Sequence, residues 1–306
     1  MTHAAAIPHT TGPEILRAAL WTSGAIAAFS LMAVAGRILG STHDTFEIMA
    51  YRSLVGFLIV CAILTARGMW GQITTRRLGL HLIRNTAHFT GQNLWFYALA
   101  ITPLAQVFAL EFTTPLWVIL LSPLFLGERF TIIKLVCVLL GLVGIWEVTQ
   151  VGNPFATDSA FQGGAGLIAA AISAIFFATS IITTKKLTTM ASVPCIMFYL
   201  TGMQALLGLA CGLADGTMAL PTAQTAPWLI LVGAAGLSAH YCLTNALKTA
   251  PATIVAPLDF IRLPVIAVLG LVLFGEPITP SLIYGAALIF VANYINIWFE
   301  THRKPA

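Results

Sequence analysis

The sequence predicts an all-α integral membrane protein with ten transmembrane helices, built as two five-helix repeats inserted in opposite orientations. Three observations carry this prediction. Of 306 residues, 58% are hydrophobic and only 8% are charged, with a mean hydropathy of +0.90. A soluble domain carries charge on about a quarter of its residues. Ten apolar stretches each approach the roughly 20 residues needed to cross the hydrocarbon core. The second half of the chain also repeats the first at a fixed offset.

The stretches lie at 15–37, 46–66, 81–100, 103–126, 131–149, 164–184, 194–214, 226–247, 251–274 and 279–299. The N-terminal MTHAAAIPHTTGPEILR lacks the basic region and short apolar core of a cleaved signal peptide. The fourth and ninth stretches open at Pro103 and Pro251, in the tight junctions AITPLA and KTAPAT, where a first-turn proline sacrifices no hydrogen bond. Pro115 and Pro264 predict kinks within those two spans, because one removes the hydrogen bond to the carbonyl of Glu111 itself and the other that to Phe260, next to Asp259. The connections are short, and none accommodates a soluble domain.

Lys and Arg set the orientation. With the N-terminus inside, twelve of the fifteen basic residues fall at cytoplasmic ends: Arg17, Arg67, Arg76, Arg77, Arg84, Arg129, Lys134, Lys185, Lys186, Lys248, Arg303 and Lys304. The long outer connections QVGNPFATDSAFQGG and DGTMALPTAQTA contain none. Arg37 falls at an outer end, and Arg52 and Arg262 within spans. Both termini are therefore expected in the cytoplasm. The net charge of +4 reflects this distribution and is no signal for nucleic acid.

Shifting the chain by 148 residues aligns 98–131 with 246–279, with ten identities in 34 positions. Pro103/Pro251, Phe112/Phe260, Gly127-Glu128/Gly275-Glu276 and Thr131/Thr279 are the informative ones. The same offset pairs IMAYRS (48–53) with IMFYLT (196–201). The repeats are expected at 1–150 and 151–306. Five helices per copy is an odd number, so the copies insert inversely, an arrangement characteristic of secondary transporters. The two Gly-Glu pairs at span ends read as architectural.

The offset also pairs two intramembrane acids, Glu111 and Asp259. A carboxylate at a helix centre costs about 2.5–3.5 kcal/mol on insertion scales, so each must meet a partner, meet water or be protonated. Arg262 lies one turn from Asp259, which suits either a packing ion pair or an anion site. Glu111 has no such neighbour in its own span, and Arg52 is its distant candidate partner. Glu111 and Asp259 are both candidates for proton coupling, since desolvation favours the protonated carboxyl.

A polar stripe of Asn85, His88, Gln92 and Trp95 occupies one side of the third span. His240 is the repeat equivalent of Gln92, and Tyr241, Thr244 and Asn245 follow it. Such residues either bind solute or join helices by hydrogen bonds. The candidate substrate-binding set is Glu111, Asp259, Arg262, His88, Gln92, Trp95, His240, Tyr241, Asn245 and Arg52. Phe29 and its equivalent Phe177, with Trp95, Trp117 and Trp21, are candidates for an apolar wall. GLACGLADG (208–216) holds overlapping GxxxG spacings, which predict close helix packing and a candidate homodimer contact.

The five cysteines all sit in apolar runs without a CxxC pair, so neither a disulfide framework nor a metal site is expected. No cofactor is expected. The chain has no GxxxxGK[ST] loop for ATP, and its seven histidines form no HExxH motif or other reactive constellation of an intramembrane enzyme. Kinked inverted repeats favour alternating access over a passive channel.

The twin segments PLAQVFALEFTTPLWVILLSPLFLGE and PATIVAPLDFIRLPVIAVLGLVLFGE resemble the EamA family of the drug/metabolite transporter superfamily, and the resemblance covers nearly the whole chain. It implies a bacterial inner-membrane carrier with both termini inside and a central cavity between the halves. The expected cargo is a small polar or amphipathic metabolite, an amino acid or derivative moved outward and driven by protons. The alternative is uptake of an organic anion or of a nucleoside-like or vitamin solute. On the first reading Arg262 takes a carboxylate, while Glu111 or Asp259 takes an amine or the proton.

Overall fold

The computed structural model describes residues 12–126, 131–150, 164–214, 216–250 and 252–302. Glu128, Arg129, Pro251, Arg303, Lys304 and the connection at 151–163 lie outside the described residues. Among the described residues all regular structure is helical: α1 (Gly12–Leu39), α2 (Thr45–Ala66), α3 (Leu78–Ile101), α4 (Leu104–Glu111), α5 (Thr114–Leu126), α6 (Ile132–Thr149), α7 (Gly164–Thr188), α8 (Val193–Gly212), α9 (Ala226–Thr249), α10 (Ala252–Asp259), α11 (Arg262–Phe274) and α12 (Pro280–His302), with a 3-10 turn at Trp70–Gln72.

Eight stretches among them are long and apolar enough to cross a membrane. One is Leu104–Leu121, which runs from α4 into α5. The 24-residue α3 is not among the eight, because its polar stripe dilutes its hydropathy. The ninth predicted span is divided into α10 and α11.

Local sequence explains the helix starts. Asp44 and Glu47 form a capping box at α2, each side chain accepting the other's backbone N–H. Ser192 caps α8, followed by Val193 and a first-turn Pro194.

The predicted kinks are complete breaks, and they fall at equivalent positions. Helix α4 stops at Glu111 and α5 starts at Thr114; α10 stops at Asp259 and α11 starts at Arg262. Pro115 and Pro264 therefore occupy the first turns of α5 and α11, where a missing N–H is tolerated. The carbonyls freed at the first break are satisfied by side chains: Thr114 Oγ1 donates to Glu111 O at 2.6 Å, and Asn293 Nδ2 of α12 donates to Phe112 O at 2.8 Å. Broken helices persist at membrane depth only where such partners exist.

The principal helix pairings are α1 with α9, α3 with α7, α2 with α8 and α6 with α12. Exchanging each helix for its repeat equivalent leaves this set unchanged. The principal buried core draws on both halves, from Phe29 and Met32 in α1 to Ile289 in α12.

Small residues permit the closest approaches. A Cβ on Gly208 would sit 2.6 Å from Ala50 N in α2, and one on Gly212 would meet nothing nearer than 3.7 Å. The GxxxG stretch is thus used, at Gly208, for packing α8 on α2 within one chain. Gly208→Val is expected to lower the melting temperature of the purified protein, since overpacking costs about 1–3 kcal/mol. Gly212→Ala should melt close to wild type in the same experiment.

Glu276 does more than end a span. Its Oε2 accepts from Leu104 N, the first amide of α4, at 2.7 Å, and its Oε1 pairs with Arg37 Nη2 at 2.8 Å. Arg37 Nη1 also donates to Leu99 O and Thr102 O. This carboxylate therefore caps a half-helix and ties together α1, α3 and the α11–α12 corner.

Candidate functional site

The helix breaks bring three charges together. Arg262, the first residue of α11, reaches with Nη2 to Glu111 Oε1 and to Asp259 Oδ2, each at 3.2 Å. The Asp259–Arg262 contact follows from their spacing. The bridge to Glu111, from the other half of the chain, does not, and it makes Arg262 rather than Arg52 the partner of Glu111. Trp95 Nε1 donates to the remaining Glu111 oxygen at 2.9 Å.

Three rings enclose the guanidinium: Phe29 at 4.6 Å, Phe112 at 4.9 Å and Phe108 at 5.2 Å to their centroids. The repeat-equivalent Phe112 and Phe260 stack on each other at 4.3 Å with an interplanar angle of 20°. At this site the two halves share one aromatic stack and one arginine.

Above this cluster is a cavity of about 360 Å³, within the range of small-molecule sites. Helix α3 contributes Arg84, His88, Gln92 and Trp95, while α7 contributes Phe177, Ser180 and Thr184. His240 and Leu243 of α9 face them, with Phe29 and Met32 from α1. Glu111, Asp259 and Arg262 complete the lining together with Phe112, Thr114 and Pro115. The cavity therefore has a charged floor, aromatic sides and a polar far wall. The His88 and His240 rings lie 6.0 Å apart, and His88 Nδ1 shares a hydrogen bond with Gln204 Nε2 at 2.8 Å.

Seven of the ten predicted site residues line this space: Glu111, Asp259, Arg262, His88, Gln92, Trp95 and His240. Three do not. Tyr241 is 63% exposed and packs edge-on against Trp21, and Asn245 Nδ2 donates to Tyr241 O. Helical geometry explains both, because Tyr241 and Asn245 lie one and five residues beyond His240 and point about 100° and about 140° away. Arg52 lines a separate small chamber. Of the predicted aromatic wall, Phe29, Phe177 and Trp95 are in place, while Trp117 hydrogen-bonds Thr113 instead. Asn85 is wholly buried, giving Nδ2 to Tyr199 O and Met203 Sδ of α8.

Arg84 was expected as a cytoplasmic anchor, yet its side chain lines the cavity. It lies four residues before His88 and is therefore on the same stripe, a signal visible in the sequence. Among the described residues no cluster of His, Cys, Asp and Glu could hold a metal ion.

Comparison with known proteins fixes the family. The family model described as "EamA-like transporter family" matches the chain twice, over residues 16–150 and 164–298. The chain belongs to the EamA-like transporter family. These two matches begin and end 148 residues apart, the offset at which Glu111 answers Asp259. This EamA-like protein is a multi-pass membrane transporter of small metabolites, a member of the drug/metabolite transporter superfamily and not an enzyme.

It is 30% identical over 274 residues to a riboflavin transporter of Brucella anthropi, covering 88% of this chain and 94% of that one. It is 24% identical to an S-adenosylmethionine uptake transporter of Rickettsia bellii, covering 92% and 93%. A pseudopaline exporter of Pseudomonas aeruginosa is 28% identical, with coverage of 86% and 90%. One crystal structure aligns with a TM-score of 0.62 at 19% identity, over 94% of this EamA-like chain and 99% of that one, a likeness of fold.

Proposed function

We propose that this protein is a secondary carrier that takes up a flat, amphipathic metabolite of vitamin or nucleoside type by alternating access, coupled to protons. Its α4–α5 and α10–α11 pairs each count as one span on this reading, giving ten. The halves then insert inversely in a bacterial inner membrane, with both termini in the cytoplasm. The observation that carries the proposal is Arg262, held at 3.2 Å by an acid from each half on the floor of a 360 Å³ cavity. Charges this far inside a membrane protein ordinarily mark a solute or ion pathway.

The aromatic sides contributed by Phe29, Phe177 and Trp95 suit a planar ring, and the polar far wall suits its hydrogen-bonding groups. The relatives named for riboflavin and S-adenosylmethionine favour such cargo over a simple amino acid, and the second of these names favours uptake. Arg262 meets both carboxylates through Nη2, so its charge is compensated within the protein even though its Nε has no acceptor among the described residues. Its role here is to couple the halves. Protonating Glu111 removes one of its two anchors and loosens the first half from the second. Solute binding and proton binding then bias the same bistable element, which is what coupling requires.

Two experiments test this. In proteoliposomes loaded with riboflavin or S-adenosylmethionine, counterflow of at least one labelled solute is expected; counterflow of neither, by protein shown to be folded, contradicts the cargo class. For topology, an impermeant thiol reagent on whole cells should label Ala223→Cys, and should label Thr75→Cys only after permeabilisation. Both positions are exposed, and the reverse pattern would overturn the orientation.

A further inference from the structure

The two ends of the cavity differ in how their charges are compensated. Arg262 has two carboxylates. At the far end, Arg84 is 5% exposed, and its partners are neutral: Nε donates to Thr184 Oγ1 at 3.1 Å and Nη1 to Asn85 Oδ1 at 2.9 Å. Its Nη2 has no protein acceptor among the described residues. Arg52 is 8% exposed, and among the described residues its one side-chain hydrogen-bond partner is Met49 Sδ, at 3.6 Å from Nη1. Its Nε is buried with no acceptor among the described residues.

Arg52 lines a chamber of about 30 Å³ with Ser53, Thr201, Gln204 and His240, room for about one water. His240 also faces the main cavity, and Gln204 bonds His88 of the cavity wall. Both arginines therefore serve the same end of the site. No carboxylate pairs with either among the described residues. An uncompensated buried charge costs several kcal/mol, so two of them bordering the His88–His240 end of the site point to an anion that arrives from outside.

The repeat separates this feature from the shared architecture. At the offset of 148, Arg52 corresponds to Leu200, Arg84 to Val232 and His88 to Gly236. The acids of the floor are repeated in both halves, although Arg262 corresponds to Thr114, and the cationic end exists in one half only. Gly236 also makes room for it, since a Cβ there would lie 3.0 Å from Arg52 Nη2 and 3.1 Å from Nε.

We propose that this end is an oxyanion subsite, which takes a carboxylate or phosphate carried by the transported solute. Arg84 is the direct donor through Nη2, and Arg52 is a second positive charge behind His240. The proposal rests on the cavity being the transport site. It narrows the cargo to an amphipathic anion or zwitterion, with its ring against Phe29 and Phe177 and its charged group toward Arg84. Charge-assisted bonds from arginine to such groups are the strong ones.

The test uses the full chain in lipid nanodiscs and two matched pairs of probes in thermal-shift titrations. Riboflavin against riboflavin 5′-phosphate reads a phosphate, and S-adenosylmethionine against its decarboxylated form reads a carboxylate. In the wild type the anionic member of one pair is expected to bind about tenfold more tightly than its partner, a difference of about 1.4 kcal/mol. Arg84→Gln should erase that preference, Arg84→Lys should retain part of it, and Arg52→Gln should weaken it. Ligand-free melting and gel filtration establish that each variant is folded, and only folded variants are scored.

The subsite is overturned if no anionic member binds better than its partner in wild type. It is equally overturned if folded Arg84→Gln and Arg52→Gln both keep the preference. Counterflow of riboflavin without any anion preference would overturn the subsite while leaving the carrier reading intact. Absence of counterflow for every probe would remove the cargo class on which the subsite rests, an outcome distinct from counterflow without anion preference.

Discussion

Arg262→Ala is expected to abolish transport and to destabilise the fold by about 3–5 kcal/mol, the usual cost of removing one partner from a buried charge group. The substitution leaves Glu111 and Asp259 without the guanidinium that both contact at 3.2 Å. It also empties the space between Phe29, Phe108 and Phe112. A triple variant separates the two effects. Glu111→Gln, Asp259→Asn and Arg262→Met together remove the charges while roughly keeping their volume, which is often neutral for stability. The triple variant should melt near wild type and still fail in counterflow. A stable, transporting Arg262→Ala would show that the charge cluster is neither structural nor functional.

Glu111→Gln is expected to keep solute exchange while losing accumulation driven by a pH gradient. Glutamine has nearly the volume of glutamate, and its carbonyl oxygen can still accept the Trp95 Nε1 proton that Glu111 Oε2 accepts at 2.9 Å. Counterflow needs only the solute-loaded carrier to move between its two faces, so a missing titratable group should change it by no more than a few-fold. Net accumulation needs the proton, and about tenfold accumulation corresponds to 1.4 kcal/mol of drive. Asp259→Asn is the control at the equivalent position, because Asp259 shares the same arginine. If both variants accumulate solute as wild type does, proton coupling does not run through this cluster.

Much of the fold was legible in the sequence because its signals are local. An acid or a proline inside an apolar run needs no tertiary context to be noticed. The 148-residue offset then paired Glu111 with Asp259, and the helices break at both positions. What the sequence could not show was which faces meet. A stripe such as His88, Gln92 and Trp95 fixes a common side of a helix and says nothing about what stands opposite. Arg262 reaches Glu111 across 151 positions, and no spacing rule predicts that.

Arg84 illustrates a different difficulty. A basic residue near a span end satisfies the positive-inside pattern, so its place on the His88 face passed as anchoring. Tyr241 and Asn245 show the converse. They are polar neighbours of His240 in sequence, and helical rotation turns them elsewhere. Glu276 was read as architectural, and the cap it places on α4 gives that reading a physical content.

The measurement that tests the central claim most directly is two-sided access to the cavity. Leu243 lines it and makes no side-chain hydrogen bond that a substitution would break. With the five native cysteines replaced, Leu243→Cys should react with an impermeant thiol reagent in both right-side-out and inside-out vesicles, and a transported solute should slow the reaction from either face. Labelling from one face only, in protein that still performs counterflow, would contradict alternating access through this site.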